Sequence, residues 1–370
     1  MKKVVELFVI FCTLFLLTGC WDQILLKNTR LILAASFDKS SGGRVVDGVT
    51  TPIISSAGPE NRKESVELLV AEGLSPRDAR LEIDNKTSQK LDASKLLVLL
   101  IGSEMASEDI YSVMDVFYRD PKSALSAKVA IVDGKGLDVL ESTTQSSQRP
   151  GNVLTDLINS AESISSVSKE DIQSICAEMF DTGVDFLVPY LKILPGEEVK
   201  VDGMAMFHNK SFSGMVLTPE ESRLFLLLKN KTGKSIPFTY KLEYKGKETF
   251  VSFKVKSYKS KVKVIASDNK IKVPLRLEVD VKIDEFPEDA LLETATVKEL
   301  TKLITDHFNE DVTRVIKKLQ EANCDGLGIE NRLQAFHPDV WKKADWNKEY
   351  KNVSFQPEIK VKVVQHGVID

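Results

Sequence analysis

The chain has a single long apolar segment, and this segment lies at the very start of its 370 residues. Lys2 and Lys3 precede a nearly continuous apolar run from Val4 to Leu17, and small residues follow it. A basic start, an apolar stretch and small residues are the three parts of a secretory signal peptide. Because the run is shorter than the ~20 residues of a transmembrane helix, we predict a signal that is removed. The rest of the chain is then predicted to be a water-soluble ectodomain.

The sequence LTGC at residues 17–20 matches the lipobox of bacterial lipoproteins. Small residues before the cut fit a narrow peptidase site, and the cysteine sulfur is the nucleophile that accepts a diacylglyceryl group. We therefore predict cleavage between Gly19 and Cys20, which leaves Cys20 as the lipid-bearing N-terminus. Two acyl chains anchor a protein stably, at ~0.8 kcal/mol per buried methylene, and Trp21 follows where an interfacial aromatic ring is favourable. The alternative is a free signal peptide whose cysteine is incidental.

Composition places the mature chain among ordinary globular proteins. About 350 residues remain after the signal, which suits two or three domains better than one core. The net charge of −4 argues against a general nucleic-acid binder. Cys12 leaves with the signal and Cys20 carries lipid, so Cys176 and Cys324 remain. One disulfide is possible, but a chain of this size favours two buried free thiols.

Strand and helix patterns alternate in the first half of the ectodomain. The β-favouring runs 31–37 and 45–54 flank a Gly-Gly turn and predict a strand pair. The following pattern predicts a strand at 65–71, a helix at 75–90, a strand at 95–101, a helix at 107–118 and a strand at 127–132. This order predicts a sheet with helices packed on it. The polar segment 142–168 is predicted to form a flexible face with a loop and short helices, before a helix at 169–180 and strands at 186–194 and 199–207.

The second half begins with strands and continues with a helix. Residues 239–285 alternate apolar residues with lysines, which predicts strands with one solvated face. The alternative is a basic face near anionic lipid headgroups. An apolar stripe at helical spacing over 297–319 predicts one long amphipathic helix, or two end to end, packed against that sheet. A loop and a strand at 358–364 follow.

The predicted fold class is therefore α+β, a multi-domain arrangement of mixed sheets with packed helices after a cleaved lipoprotein signal peptide. We place the signal at 1–19, an N-terminal α/β domain at 20–195, a middle β-rich domain at 196–275 and a C-terminal α+β domain at 276–370. The last two can also count as one C-terminal unit, 196–370.

The sequence shows no concentration of catalytic residue types. The Gly-x-Ser-x-Gly, phosphate-loop and dinucleotide motifs are absent. No second histidine stands at metal-ligand spacing beside any of the four histidines, His208, His307, His337 and His366. We predict a protein that is not an enzyme and that binds no cofactor and no metal.

Four segments together resemble a known family. They are GCWD at 19–22, VFYRDPKSALSAKVAIV at 116–132, VDGMAMFHNKSFSGMVLTPEESRLFLLLK at 201–229, and the segment 319–363 that begins LQEANCDGLGIENRLQAFHPDVW. In content and order they resemble the Ger(x)C family, the C subunits of nutrient germinant receptors in spore-forming bacteria. The resemblance extends over essentially the whole mature chain, so it is more specific than any single motif.

The resemblance assigns family positions to particular residues. Cys20 matches the lipidated cysteine, and Trp21 and Asp22 match its usual followers. The remaining family positions are Arg119, Asp120 and Pro121 in a turn after a helix, Gly203 and Phe207 in the middle segment, and Asp325, Gly328, Pro338, Trp341 and Trp346 near the end. We expect most of these residues to be structural.

The resemblance also implies a function. It implies an accessory subunit, lipid-anchored to the outer face of the inner spore membrane, that assembles with a multi-span A-type and a transporter-like B-type subunit. Such a complex triggers germination in response to nutrients, and the subunit serves its assembly or signalling. The alternative is a lipid-anchored small-nutrient-binding protein that feeds a membrane transporter. An envelope hydrolase is disfavoured by the missing catalytic residues.

Overall fold

A computed structural model describes residues 2–3, 29–56, 62–146, 149–267, 270–288 and 291–366. The predicted cleavage and lipidation positions Gly19 and Cys20, together with Trp21 and Asp22, lie outside the described residues.

The larger sheet of the described chain contains eight strands. In chain order, the strands of the first half are β1 (Thr29–Leu31), β2 (Ala34–Lys39), β3 (Val45–Ser56), β4 (Arg62–Gly73), β5 (Lys90–Asp92), β6 (Val98–Gly102), β7 (Lys128–Val132), β8 (Leu187–Ile193), β9 (Val199–His208) and β10 (Ser211–Leu217). The spatial order is β10-β9-β8-β7-β6-β2-β3-β4, and β1 pairs with β5 separately. Strands β2, β6, β7 and β8 run parallel, and antiparallel strands extend both edges. β6 and β7 are buried on both faces, as expected for central parallel strands.

Helices cover both faces of this sheet. The helices in chain order are α1 (Pro76–Asp84), α2 (Ser103–Ala106), α3 (Tyr111–Arg119), α4 (Gly136–Ser146), α5 (Pro150–Ser163), α6 (Ile172–Phe180), α7 (Pro219–Lys229), α8 (Thr294–Glu321), α9 (Ile329–Phe336), α10 (Pro338–Trp341) and α11 (Trp346–Glu349). Leu99 and Ile101 of β6 belong to an apolar cluster with α1, α3 and α6. Val98 and Leu100 belong to a second cluster with α4 and α5. The alternation of side chains along a strand thus builds two helical layers from one sheet.

The segment 142–168, which was predicted to form a flexible face with a loop and short helices, is mostly helical. Most of that segment is the end of α4 and the whole of α5, and Leu154 and Ile158 of α5 are fully buried. Polar residues between these apolar positions make the helical pattern of apolar residues difficult to recognise in the sequence. The serines that follow α5 are also inside, where Ser165 Oγ donates to the Ser235 carbonyl at 2.9 Å.

The second sheet and α8 form the other half of the fold. Its strands are β11 (Pro237–Tyr244), β12 (Lys247–Val262), β13 (Ile265–Ser267), β14 (Lys270–Glu285) and β15 (Ser354–His366). Neighbouring strands are antiparallel except β14 and β15, which are parallel. The predicted amphipathic stripe is one 28-residue helix, α8, and the Phe308 ring lies 5.1 Å from Phe238 and 6.0 Å from Phe253, between ring centroids. The prediction that this helix packs on the preceding sheet is confirmed.

The two halves share one apolar core. The cluster that contains Val98 continues through Phe225 of α7 to Phe253 of β12 and Val361 of β15. Strands β9 and β10 lie beyond the boundary predicted at residue 195 and belong to the same sheet as β8. The division into domains remains a prediction, whereas the α+β fold class with mixed sheets and packed helices is confirmed.

Candidate functional site

Three of the five predicted family positions near the end of the chain line a cleft where the two halves meet. The cleft has a volume of about 630 Å³ and is bounded by residues 181–186, by the turn 208–210 and by residues between 325 and 347. Asp325, Trp341 and Trp346 all contribute to its lining. We call this feature the junction cleft.

Asp325 organises the backbone below the junction cleft. Its side chain is only 2% exposed, and its two carboxylate oxygens accept the N–H groups of Ile329 at 2.8 Å and Glu330 at 2.7 Å. These are donors at the start of α9 that no intrahelical carbonyl satisfies. Gly328, which precedes α9, has φ +65°, a conformation that glycine adopts without strain. Burial raises the pKa of Asp325 to about 7, against the lowering effect of these two hydrogen bonds.

A polar network joins the two halves beside Asp325. Asp185 Oδ2 accepts the Asp325 N–H at 2.9 Å and lies 3.4 Å from His208 Nδ1. The other ring nitrogen, His208 Nε2, lies 3.0 Å from Asn323 Nδ2 and 2.9 Å from Asn209 Nδ2. The sequence analysis found no partner for His208, because Asp185 and Asn323 are distant from it in the chain. This network fixes the end of β9 against the C-terminal segment.

The two tryptophans serve as walls of the junction cleft. Trp341 Nε1 donates to Glu330 Oε1 at 3.0 Å, and burial is the main cause that raises the pKa of Glu330. The Trp346 ring lies 5.7 Å from that of Tyr350. The Trp346 indole N–H is buried and has no hydrogen-bond partner among the described residues. Pro338 occupies the first turn of α10, where a missing N–H is tolerated.

The predicted family positions of the middle segment, Gly203 and Phe207, lie inside the fold. Phe207 is fully buried and stacks on Phe186 at 4.7 Å between ring centroids. Gly203 of β9 has φ +122°, and a Cβ there would lie 1.8 Å from the Leu217 carbonyl oxygen of β10. No other residue type fits this position without moving one of the two strands.

Arg119, Asp120 and Pro121 lie on a different surface from the junction cleft. They line one side of a groove of about 440 Å³ between α1 and α3. The Arg119 side chain is 70% exposed, and its Nε lies 2.8 and 2.9 Å from the carboxylate oxygens of Asp115. Asp120 Oδ1 accepts the Lys122 N–H at 2.9 Å and so shapes the turn after α3.

Exposed aromatic rings continue this surface from α3 to α6. Tyr118 is 57% exposed and Phe180 is 51% exposed, with ring centroids 5.3 Å apart. The Tyr111 ring lies 5.7 Å from Phe180, and Lys210 Nζ lies 5.3 Å from the Tyr111 ring centroid. We call these four residues the aromatic patch. The sequence analysis missed it because the rings come together only when α3 and α6 pack side by side.

The remaining features are the two cysteines, possible metal ligands and possible membrane-spanning helices. Cys176 and Cys324 are both buried and free, as predicted. Among the residues that the structure describes, no group of three or more His, Cys, Asp or Glu side chains is placed to hold a metal ion. Within that same part of the chain, no helix combines the length and apolarity required to cross a membrane.

Comparison with known proteins identifies the family. Residues 22–193 match a spore germination protein N-terminal domain, and residues 202–367 match the C-terminal domain described as spore germination B3/GerAC like. The spore germination protein GerQC of Bacillus cereus is 21% identical over 96% of both chains. Spore germination protein A3 of Bacillus subtilis is 23% identical over 94% of this chain and 93% of that protein.

A solved structure supports the same relationship at the level of fold. The crystal structure of the GerBC protein superimposes with a TM-score of 0.58 at 16% identity, over 90% of this chain and 97% of that one. Neither domain description names an enzymatic activity. Because the two domain models together match most of the chain, this protein belongs to the GerAC-like family of spore germination proteins.

Proposed function

We propose that this protein is a lipid-anchored accessory subunit of a spore germinant receptor, required for assembly or signalling of the complex and without catalytic activity. Its partners in this proposal are a multi-span A-type subunit and a transporter-like B-type subunit. The observation that carries the proposal is the aromatic patch, because it is the surface that best suits contact with another protein.

The composition of this surface is that of a protein interface. Tyrosine, phenylalanine and arginine are enriched in interface cores, and exposed contiguous aromatic rings are uncommon on a surface that meets only water. The patch also sits on rigid supports, since Val113 of α3 and Ile175 of α6 are fully buried beneath it. Little conformational entropy is lost when such a surface binds a partner. Arg119, a family position, lies next to Tyr118 and extends the surface toward the groove.

The predicted anchor would keep this surface close to membrane-embedded partners. Residues 20–29 span at most about 30 Å when fully extended, so lipid on Cys20 would confine the ectodomain to the outer face of the inner spore membrane. Confinement raises the effective concentration of one subunit near another. We expect Cys20→Ala to release the chain from the membrane fraction, and a different lipid anchor to restore germination.

The test is an affinity purification of the tagged chain from detergent-solubilised spore inner membranes, with co-purifying proteins identified by mass spectrometry. We expect A-type and B-type subunits with the wild-type chain and loss of both with the Tyr118→Ser/Phe180→Ser double variant. Phe336→Ser is the matched control, because Phe336 is 73% exposed on α9, outside the aromatic patch. Recovery of the chain alone, from membranes in which another receptor complex survives, would contradict the subunit assignment. Equal recovery with the double variant would reject the patch as the contact surface.

A second candidate function is the binding of a small nutrient in the junction cleft. The volume of the cleft lies within the range of small-molecule sites, and Trp341, Trp346 and several polar groups line it. The indole N–H of Trp346 has no partner among the described residues but is buried, so a ligand would reach this donor only after the ring moves. A saturable heat of binding of an amino acid, sugar or nucleoside to the ectodomain, lost in Trp346→Ala, would favour this function.

A further inference from the structure

The outer face of the second sheet carries a concentration of cations at one end. Lys259 and Lys261 alternate along β12 and Lys263 follows them, so the three side chains project to the same side. Lys272 and Arg276 of β14 are exposed on that side too, and Arg276 lies directly opposite Lys261 in the strand register. We call these five residues the basic face.

The basic face carries an excess of positive charge, although Glu278 lies opposite Lys259 and Glu358 lies opposite Arg276 in the strand register. Its four lysines form no ion pair with any described residue, and Arg276 pairs with Glu278 at 2.7 Å. Other lysines of the same sheet do have acidic partners, namely Lys241 with Glu248, Lys254 with Asp284 at 3.0 Å, and Lys282 with Asp284 at 3.9 Å. The chain as a whole has a net charge of −4, so this cluster of cations differs in sign from the protein's overall charge.

The shape of the basic face suits an extended anionic surface better than one bound anion. All of its residues except Lys272 line a shallow hollow of about 420 Å³, but Glu278 and Glu358 line the same hollow and would repel a single phosphate seated in it. The lysines are exposed point charges on flexible stems, which can each reach a different headgroup. Ile265 is exposed and opposite Lys272 in register, so an apolar side chain borders the cations. Cations beside an apolar side chain are typical of surfaces that rest on a membrane interface.

We propose that the basic face lies against the anionic phospholipid headgroups of the bilayer and thereby orients the ectodomain. The proposal rests on the lipid anchor proposed above, because attraction between charges falls off within about 8 Å at physiological salt and the anchor keeps the face within that range of the membrane. In this orientation the outer surface of the second sheet faces the lipid, and the aromatic patch belongs to the other half of the fold.

The test measures vesicle binding by the mature chain with Cys20→Ser, so that no lipid on the protein contributes. Co-sedimentation is measured with vesicles of phosphatidylcholine and phosphatidylglycerol, with vesicles of phosphatidylcholine alone, and at low and high salt. We expect binding to the anionic vesicles only, weakened by salt. The variant Lys259→Gln/Lys261→Gln/Lys263→Gln is expected to lower the partition coefficient about tenfold or more.

The matched control removes the same charge from the same sheet. Lys241→Gln/Lys254→Gln/Lys282→Gln lowers the net charge equally but replaces lysines that have acidic partners, so we expect a much smaller loss of binding. An equal loss in both triple variants, or no preference for anionic vesicles, would overturn the proposal. Displacement by inorganic phosphate beyond the effect of sodium chloride at equal ionic strength would also overturn it, in favour of a discrete phosphate site. The purification experiment with the Tyr118 and Phe180 variants tests the proposed subunit function independently of these results.

Discussion

The junction cleft and the outer surface of α3 with the turn after it, which we call the helical face, both contain residues assigned to family positions by resemblance, but these residues lie in opposite surroundings. At the junction cleft, Asp325 and Gly328 are buried and fix backbone that links the two halves. On the helical face, Arg119 and Pro121 are exposed, and no element of the described residues covers the aromatic rings beside them. The predicted family positions therefore include buried residues that fix backbone and exposed residues that suit the proposed contact with a partner.

The largest effect is expected at Gly203, where two backbones meet. The variant Gly203→Ala should lower the free energy of unfolding by roughly 3 kcal/mol or more, because the new Cβ collides with the Leu217 carbonyl oxygen. Urea denaturation measures this change. Gly196→Ala is the control, because Gly196 also has a positive φ, +95°, but nothing lies within 4 Å of a Cβ there. An equal loss in both variants would mean that the backbone angle, and not the collision, makes Gly203 necessary.

Asp325 should show the next largest effect. Asp325→Ala leaves the N–H groups of Ile329 and Glu330 without an acceptor in a buried region, at a cost of about 2–3 kcal/mol in unfolding free energy. Asp325→Asn keeps one acceptor oxygen and should recover part of the loss. If Asp325→Ala unfolds at the same urea concentration as the wild type, the junction network does not stabilise the fold.

The same residue predicts a pH dependence. The pKa of Asp325 is about 7 in the folded protein, well above that of an unfolded aspartate, so the folded state binds more protons between about pH 4 and pH 7. The contribution of Asp325 to stability is therefore greatest below this window and falls as the pH rises through it. Comparison of urea midpoints at pH 5 and pH 7 should show a smaller decrease for Asp325→Asn than for the wild type. Equal decreases would place the titrating group elsewhere.

The smallest effect on stability is expected at the helical face. Arg119→Ala removes only an exposed pair with Asp115 one helical turn away, worth about 0.5 kcal/mol or less. The expected loss appears instead in the recovery of partner subunits from spore membranes. A destabilisation similar to that of Asp325→Ala would remove the distinction between the two regions.

The sequence predicts best those structural features that depend on residues close together in the chain. The strands β6 and β7 follow from short apolar runs, α8 from a regular apolar stripe, and the start of α1 from Ser75, whose Oγ accepts the Asp78 N–H at 3.2 Å. The 14-residue length of α5 was not predicted, because small and polar residues separate its core positions Leu154 and Ile158.

What the sequence could not predict are contacts between distant segments. Asp185 and His208 are 23 residues apart, and His208 and Asn323 are 115 residues apart. Their hydrogen-bond network therefore cannot be predicted from local spacing in the sequence. Tyr118 and Phe180 likewise meet only because α3 and α6 cover the same face of the larger sheet. The lipidation of Cys20, in contrast, is predicted from local sequence alone. Cys20 lies outside the described residues, so this remains a prediction.

The most direct test of the central claim is site-specific photocrosslinking from the aromatic patch in spore inner membranes. A photoreactive phenylalanine analogue replaces Tyr118 in one tagged chain and Phe336 in another. The account predicts a crosslinked product between the Tyr118 position and a receptor subunit, identified by mass spectrometry, with little or none from the Phe336 position. Crosslinks from Phe336 to a receptor subunit and none from Tyr118, in membranes where the complex is intact, would contradict it.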